Sequence, residues 1–173
     1  MSLQDPNEQI GNPGSISSID RVAQAAQAAG LKIQIRQMPE STKTAAQAAL
    51  ACGCGVSQIV KSLVFQRTDR ASLVLLLVAG DHQADLPLAS SVIGADLVRA
   101  DPKRVRRETG FAIGGVAPLG HLVSLPVYMD GALLEHDIVW AAAGAPNAVF
   151  SVSPRALLAA TTAVVLPSGV RQE

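Results

Sequence analysis

Aromatic residues are scarce in this chain. Phe, Trp and Tyr make up 3% of its 173 residues, although 49% of the residues are hydrophobic. The interior must therefore be filled largely by Ala, Val and Leu. The length is sufficient to bury the core of one domain of ordinary size, and we expect a single domain.

An excess of charge of either sign is also missing. The 14 basic residues are balanced by 14 acidic residues, which gives a formal net charge of zero. Long-range electrostatics therefore does not mark a general nucleic-acid or membrane-surface binder. A nucleic-acid partner would have to be held locally, at one end or at one nucleotide.

Long apolar runs and a basic, signal-like start are absent as well, which predicts no membrane partner and a cytoplasmic location. Cysteine is limited to Cys52 and Cys54. The two are too close for an ordinary structural disulfide, and a lone Cys-x-Cys supplies only half of a tetrahedral metal site. We interpret them as small apolar thiols at a glycine-rich helix end, and we expect neither a metal nor a cofactor.

Capping residues, glycines and apolar periods predict alternating helices and strands. Residues 1–15 are polar and rich in Gly, Pro, Asn and Gln, so we expect a flexible arm there and a domain over 16–173. The predicted helices lie at 21–29, 44–51, after Asp85, at 101–110 and from Ser153. The predicted strands lie at 31–37, 58–65, 72–79, 95–100, 122–129, 138–142, 148–152 and 163–166. Short strands in hairpins with intervening helices predict an α/β or α+β fold.

Four glycines and a proline interrupt the apolar stretch 109–121. Gly114 and Gly115 can place consecutive amides around a concavity that receives an anion or a polarised carbonyl oxygen. Pro118 then fixes the exit of the loop through its locked φ. The alternative is a tight turn between two buried elements. A dinucleotide site is disfavoured, because no long strand leads into Gly110 and no helix opens after Gly120.

Lys61 interrupts the apolar strand predicted at 58–65. A buried ammonium is costly, so this side chain must reach water, a carboxylate or a bound anion. The alternative is a lysine that extends to solvent from the end of a strand. The predicted helix 101–110 carries a set of basic residues that is either a solvated face or a phosphate-contacting patch beside the glycine loop. These residues are Lys103, Arg104, Arg106 and Arg107.

Three motifs, taken in order, resemble the YbaK/prolyl-tRNA-synthetase-associated editing domain family. The stretch 60–65 reads V-K-S-L-V-F, 109–120 reads T-G-F-A-I-G-G-V-A-P-L-G, and 125–130 reads L-P-V-Y-M-D. The resemblance covers roughly residues 16–166. It implies a compact α/β domain with a curved mixed sheet surrounded by helices. It also implies hydrolysis of the ester between a wrong amino acid and its tRNA.

The resemblance assigns roles to individual residues. Lys61 is expected to face the phosphate of the 3′-terminal nucleotide, and the amides of Gly114 and Gly115 are expected to hold the aminoacyl carbonyl. The nucleophile is expected to be a water helped by the terminal hydroxyl of the tRNA, or a thiol on the substrate. The further expected substrate contacts are Phe111, Val116, Pro118, Ala142 and Gly144. The implied partners are the 3′ end of aminoacyl-tRNA and a synthetase.

One loop departs from the family pattern. Some members have S-G-G-K-R-G where this chain has A-A-G-A-P-N at 142–147, so the hydroxyl and the basic pair are missing. A pocket lined by alanine suits a small side chain, for which tRNA-Pro carrying a small amino acid is a candidate. Other polar candidates for the pocket are Asp81, His82, His136 and Asp137, for which surface or core positions are the alternative.

Two function classes follow. The first is a freestanding aminoacyl-tRNA deacylase that acts in trans. The second is a non-catalytic module that binds an aminoacyl-tRNA 3′ end or a nucleotide. Turnover of a mischarged tRNA distinguishes them.

Overall fold

Residues 15–168 are described by the computed structural model. The predicted arm therefore lies outside the described residues except for Ser15. The helices are α1 (Ser18–Ala28), α2 (Ala45–Cys52), α3 (Leu86–Ile93), α4 (Pro102–Thr109) and α5 (Pro154–Thr161). The strands are β1 (Ile35–Gln37), β2 (Ile59–Arg67), β3 (Leu73–Ala79), β4 (Leu97–Arg99), β5 (Val127–Asp130), β6 (Val139–Ala142), β7 (Ala148–Val152) and β8 (Val164–Leu166). Short 3₁₀ turns span Val56–Gln58 and Gly131–Glu135.

The strands form one mixed sheet, as the sequence predicts. Its order is β1-β7-β6-β2-β3-β5-β8, with β4 paired to the far end of β2. β2 and β3 form the expected antiparallel hairpin, whereas β6 runs parallel to β2 and β5 runs parallel to β3. The fold class expected from the resemblance is confirmed.

β3 is buried along its whole length, because both faces of the sheet are covered there. Leu75 and Leu77 point into the larger cluster, which also holds Phe111 and Phe150. Leu76 points into a second cluster beneath α3. Full burial of one such side chain contributes about 1.5–3 kcal/mol, so this strand anchors the domain.

The pairing of β2 leaves a gap in the sheet. On the side away from β3, β2 pairs with β6 at Ile59 and Val60 and with β4 from Phe65 to Arg67. Residues 61–64 have no partner strand on that side in these pairings. The gap lies in the middle of the strand that carries Lys61.

Two predicted strands are much shorter in the structure, because backbone amides near their starts donate to carbonyls at the ends of helices. The amide of Leu31 donates to the carbonyl of Ala26 at the end of α1, and only 35–37 is strand. The amides of Leu122 and Val123 donate to the last carbonyls of α4. Strand structure there begins only at Val127, after Pro126, which has no amide hydrogen to pair.

Candidate functional site

A cavity of about 690 Å³ opens at the gap in the sheet. β2 contributes one wall, and the N-terminal turn of α2 and the glycine loop contribute others. Lys61, Gly114, Val116 and Ala142 are the predicted site residues that line it. Segments far apart in sequence therefore meet at one concave surface.

The glycine loop, residues 110–120, is tied at both ends by Arg21 of α1. The Nε of Arg21 donates to the carbonyl of Gly120 at 2.7 Å, and its Nη2 donates to the carbonyl of Gly110 at 2.9 Å. The Thr109 hydroxyl accepts from the amide of Phe111, which fixes the first turn of the loop. The loop is therefore held in one shape by side chains at its base.

Gly114 and Gly115 occupy different positions in this loop. Gly114 has φ +94°, in the left-handed region that favours glycine, and it lines the cavity. Its amide donates no hydrogen bond to the residues that the structure describes. Gly115 is buried, and its amide already donates to the carbonyl of Ala112 at 3.0 Å. The expectation that both amides face a substrate therefore differs from the arrangement seen, in which only that of Gly114 is available.

Gly115 has a packing role instead. A Cβ at this position would lie 2.9 Å from the carbonyl carbon of Ala145, which is closer than real side chains approach backbone. Glycine lets the loop pack directly on the segment after β6. The same contact brings the glycine loop beside Ala142.

Lys61 lines the cavity, but its ammonium points toward another segment. It pairs across the hairpin with Val78, which faces the α3 side of the sheet. The Nζ donates to the backbone carbonyl of His82 in the turn after β3. Burial lowers the pKa of Lys61, and the nearby carboxylates of Asp81 and Asp130 oppose this shift. The ammonium is thus already bonded and partly compensated.

A buried pair fixes the turn that binds Lys61. The Nδ1 of His82 lies 2.8 Å from the Oδ2 of Asp130, and the two side chains are 3% and 4% exposed. Asp130 also accepts from the amides of Ala79 and Ala132. His82 is among the polar candidates predicted from the sequence, whereas Asp130 is not, although the third motif contains it. The His82–Asp130 pair therefore holds the carbonyl to which the Lys61 ammonium donates.

Three predicted substrate contacts do not line the cavity. Phe111 is 1% exposed and belongs to the core, where its ring lies under the Arg21 guanidinium. Pro118 is buried in the exit of the loop. Gly144 has φ +96°, and its carbonyl accepts from the hydroxyl of Ser18 at 2.8 Å. In this structure all three support the loops rather than the cavity surface.

The other candidate groups lie outside the cavity lining. Of the basic residues of α4, Arg104 is bonded to Glu108 and Gln66, whereas Lys103, Arg106 and Arg107 are exposed. Burial raises the pKa of the Cys52 thiol to about 11, with a smaller contribution from Cys54. Neither His136 nor Asp137 lines the cavity.

Several residues at or behind the site were not predicted. Lys43, Thr44 and Arg99 line the cavity, and Arg21 ties the glycine loop. The capping box of Thr44 and Gln47 is visible in the sequence and is present in the structure. Nothing local in the sequence indicates that the lysine before it reaches the glycine loop.

The helices that the structure describes are all too short or too polar to cross a membrane.

Comparison with known proteins places the chain in a family. A family model for the aminoacyl-tRNA editing domain matches residues 39–160. The chain is 32% identical over 123 residues to the uncharacterized protein YwhH of Bacillus subtilis, with 71% of this chain and 78% of that protein aligned. It is 34% identical over 74 residues to proline–tRNA ligase of Moorella thermoacetica, which is 42% of this chain and 12% of the ligase.

A solved structure shares nearly the whole fold. It was described as a candidate trans-editing enzyme for prolyl tRNA synthetase and is 43% identical, with a TM-score of 0.82. The match covers 92% of this chain and all of the other. Together with the family match over the cavity-forming elements, this shows that the chain belongs to the aminoacyl-tRNA editing domain family.

Proposed function

We propose that this protein is a freestanding deacylase that acts in trans on mischarged tRNA. It hydrolyses the ester that joins a small amino acid to the 3′ end of a tRNA, with tRNA-Pro as the first candidate. The cavity at the gap of the sheet carries this proposal, because Gly114, whose amide forms no hydrogen bond with the described residues, is one of its lining residues. The family match and the likeness to a candidate trans-editing enzyme support it.

The proposed chemistry depends on polarisation and position. The Gly114 amide donates to the carbonyl oxygen of the ester, whose negative charge grows as water attacks the carbonyl carbon. Among the described residues, no His, Cys, Asp or Glu lines the cavity, so no side-chain base of these types is placed to activate that water. A hydroxyl of the terminal ribose takes this role. The acyl C–O bond breaks, and the amino acid and a free tRNA hydroxyl are released.

The size of the amino acid is set by two small apolar residues of the cavity lining. Val116 and Ala142 line the cavity where the glycine loop approaches β6. Their small apolar side chains favour a short substrate side chain such as that of Ala, Cys or Ser. We also place the activity in the cytoplasm, where charged tRNA meets the ribosome, with a synthetase as a further candidate partner.

Lys61 keeps a role in this proposal as a fixed positive charge beneath the cavity. Its bond to the His82 carbonyl holds the ammonium in place, and its charge favours an anionic transition state at the carbonyl. Lys61→Met is expected to reduce the rate of ester hydrolysis while the protein remains folded.

The decisive experiment is a panel of mischarged tRNAs that includes Ala, Cys and Ser on tRNA-Pro. The wild-type protein is expected to release amino acid from at least one member, and the Lys61→Met and Gly114→Val variants are expected to lose most of this activity. No release from any member by the wild type overturns the deacylase proposal.

A non-catalytic binding module is the second candidate. The bonds that already occupy the Lys61 ammonium and the Gly115 amide favour it, because fewer groups are left for catalysis. Tight binding of a stable aminoacyl-adenosine analogue, with no turnover of the matching ester, would support this function.

A further inference from the structure

The charges around the cavity are of one sign. The cations that line it are Lys43, Lys61 and Arg99, and no carboxylate is among the described residues that line it. The chain as a whole has equal numbers of acidic and basic residues. Because the Lys61 ammonium is bonded to the His82 carbonyl, the lining cations whose charged groups have no bond to the described residues are Lys43 and Arg99, and they suit an anionic part of a ligand.

Lys43 differs from Lys61 in how its charge is compensated. The Lys61 ammonium is bonded to the carbonyl of His82 and lies near two carboxylates. The ammonium of Lys43 forms no ion pair or hydrogen bond with the described residues, and the residue is exposed. Its charge is available to a ligand without the loss of an existing bond.

The stem of Lys43 lies against the glycine loop. The Cγ of Lys43 is 3.2 Å from the place where a Cβ on Gly114 would be, and its Cδ is 3.6 Å from it. The lysine thus runs beside the residue whose amide is available. A group bound at Gly114 is within the reach of this side chain.

The backbone before and after Lys43 is firmly held. The amide and hydroxyl of Thr42 donate to the carbonyl of Pro146 at 2.8 and 2.9 Å. Thr44 caps α2 and shares a capping box with Gln47. Because the neighbours are fixed, the loss of freedom on binding is confined mainly to the lysine side chain.

We propose that Lys43 binds a phosphodiester oxygen next to the 3′-terminal nucleotide of the tRNA at the mouth of the cavity. This inference rests on the proposed function, since the ester end of an aminoacyl-tRNA carries no other anion. The phosphate contact expected for Lys61 is then made by Lys43, a residue outside the three motifs. Lys61 then acts only from beneath the cavity.

The test is equilibrium binding, which does not require turnover. Two stable probes share a 3′-amide-linked alanine: one is an adenosine without phosphate, and the other is a cytidylyl-adenosine with one phosphodiester. Wild type, Lys43→Gln, Lys43→Arg and the exposed control Lys32→Gln are compared, after urea unfolding has shown equal stability.

We expect Lys43→Gln to weaken binding of the dinucleotide about tenfold, in the range of one charged hydrogen bond, and to leave binding of the adenosine probe unchanged. The slope of log K against log salt for the dinucleotide should become shallower in Lys43→Gln, because salt screens the contact between two exposed charges that this variant removes. Lys43→Arg should retain most of the affinity, and Lys32→Gln should match wild type.

Three results overturn the inference. They are equal losses for both probes, an unchanged salt slope in Lys43→Gln, and no preference of the wild type for the dinucleotide over the adenosine. The deacylase proposal is judged separately by the mischarged-tRNA panel. A protein that binds the dinucleotide through Lys43 without hydrolysing any ester would retain this inference and lose the catalytic one.

Discussion

The guanidinium of Arg21 lies over the ring of Phe111, with its central carbon 4.7 Å from the ring centroid. The same guanidinium donates to the carbonyls of Gly110 and Gly120, which are the two ends of the glycine loop. One residue of the first helix therefore fixes the shape of a loop about ninety positions later. Gly114, whose amide forms no hydrogen bond with the described residues, lies between these two ends.

Replacement of Arg21 by alanine is expected to destabilise the protein and to loosen the glycine loop. The lost bonds and the uncovered Phe111 ring predict a decrease of about 2–4 kcal/mol in the free energy of unfolding. Urea unfolding measures this decrease. Arg70→Ala is the control, because Arg70 is exposed and its change should stay within about 0.5 kcal/mol. Equal effects of the two changes would show that the loop does not depend on Arg21.

Gly114→Ala is expected to abolish most ester hydrolysis at a modest cost in stability. Both Gly114 and Gly94 have positive φ, +94° and +79°, so alanine is strained by about 1 kcal/mol at either position. A Cβ meets nothing within 4 Å at Gly94 but approaches the Lys43 side chain at Gly114. Gly94→Ala should therefore lose similar stability and keep its activity in a deacylation assay. Because alanine keeps the backbone amide, the loss of activity is expected from its Cβ, and activity retained by Gly114→Ala would contradict binding of the ester against Gly114.

Asp130→Asn is expected to lower the free energy of unfolding by about 3 kcal/mol. The substitution keeps the shape of the side chain but removes the charge that accepts from His82 and from two backbone amides, all of them buried. Hydrogen exchange should also show faster opening of the turn at 80–82, which carries the carbonyl bonded to Lys61. Asp137→Asn, at an exposed carboxylate, is the control and should change stability little. Unchanged protection of the turn would contradict this role of the buried pair.

We expect the contribution of Lys61 to the free energy of unfolding to become more favourable as the pH rises. Burial lowers its pKa in the folded protein below the ordinary value near 10.5. Between these two values the unfolded chain binds more protons than the folded protein, so the free energy of unfolding increases with pH in this window. At lower pH the lysine is charged in both the folded and the unfolded state, so the cost of burying its charge does not change with pH.

Urea unfolding of wild type and Lys61→Met at pH 8 and pH 10 checks this expectation. The stability of the wild type relative to Lys61→Met should increase from pH 8 to pH 10, whereas its stability relative to Lys32→Met, an exposed control, should show no such change. A difference between wild type and Lys61→Met that is the same at both pH values would mean that the lysine titrates alike in the folded and unfolded states.

Features that depend on near neighbours in the chain could be predicted from the amino-acid sequence. The capping box at Thr44, the cap at Asp101 and the glycine that ends α4 each involve residues within a few positions, and all are present as predicted. The hairpin of β2 and β3 follows from two apolar runs joined by a short polar turn. The motifs likewise identified the family, because their order and spacing are properties of the chain alone.

Which of those residues face the cavity depends on the packing of the elements and could not be predicted from the sequence. Lys61 reaches the His82 carbonyl because strand alternation and a turn 21 positions later place it there, and Gly115 uses its amide within its own turn. Lys43 lies beside Gly114 although about seventy residues separate them, and Arg21 bonds to a carbonyl 99 residues away. Contacts over such separations depend on how the elements pack against one another, and no local pattern in the sequence encodes them.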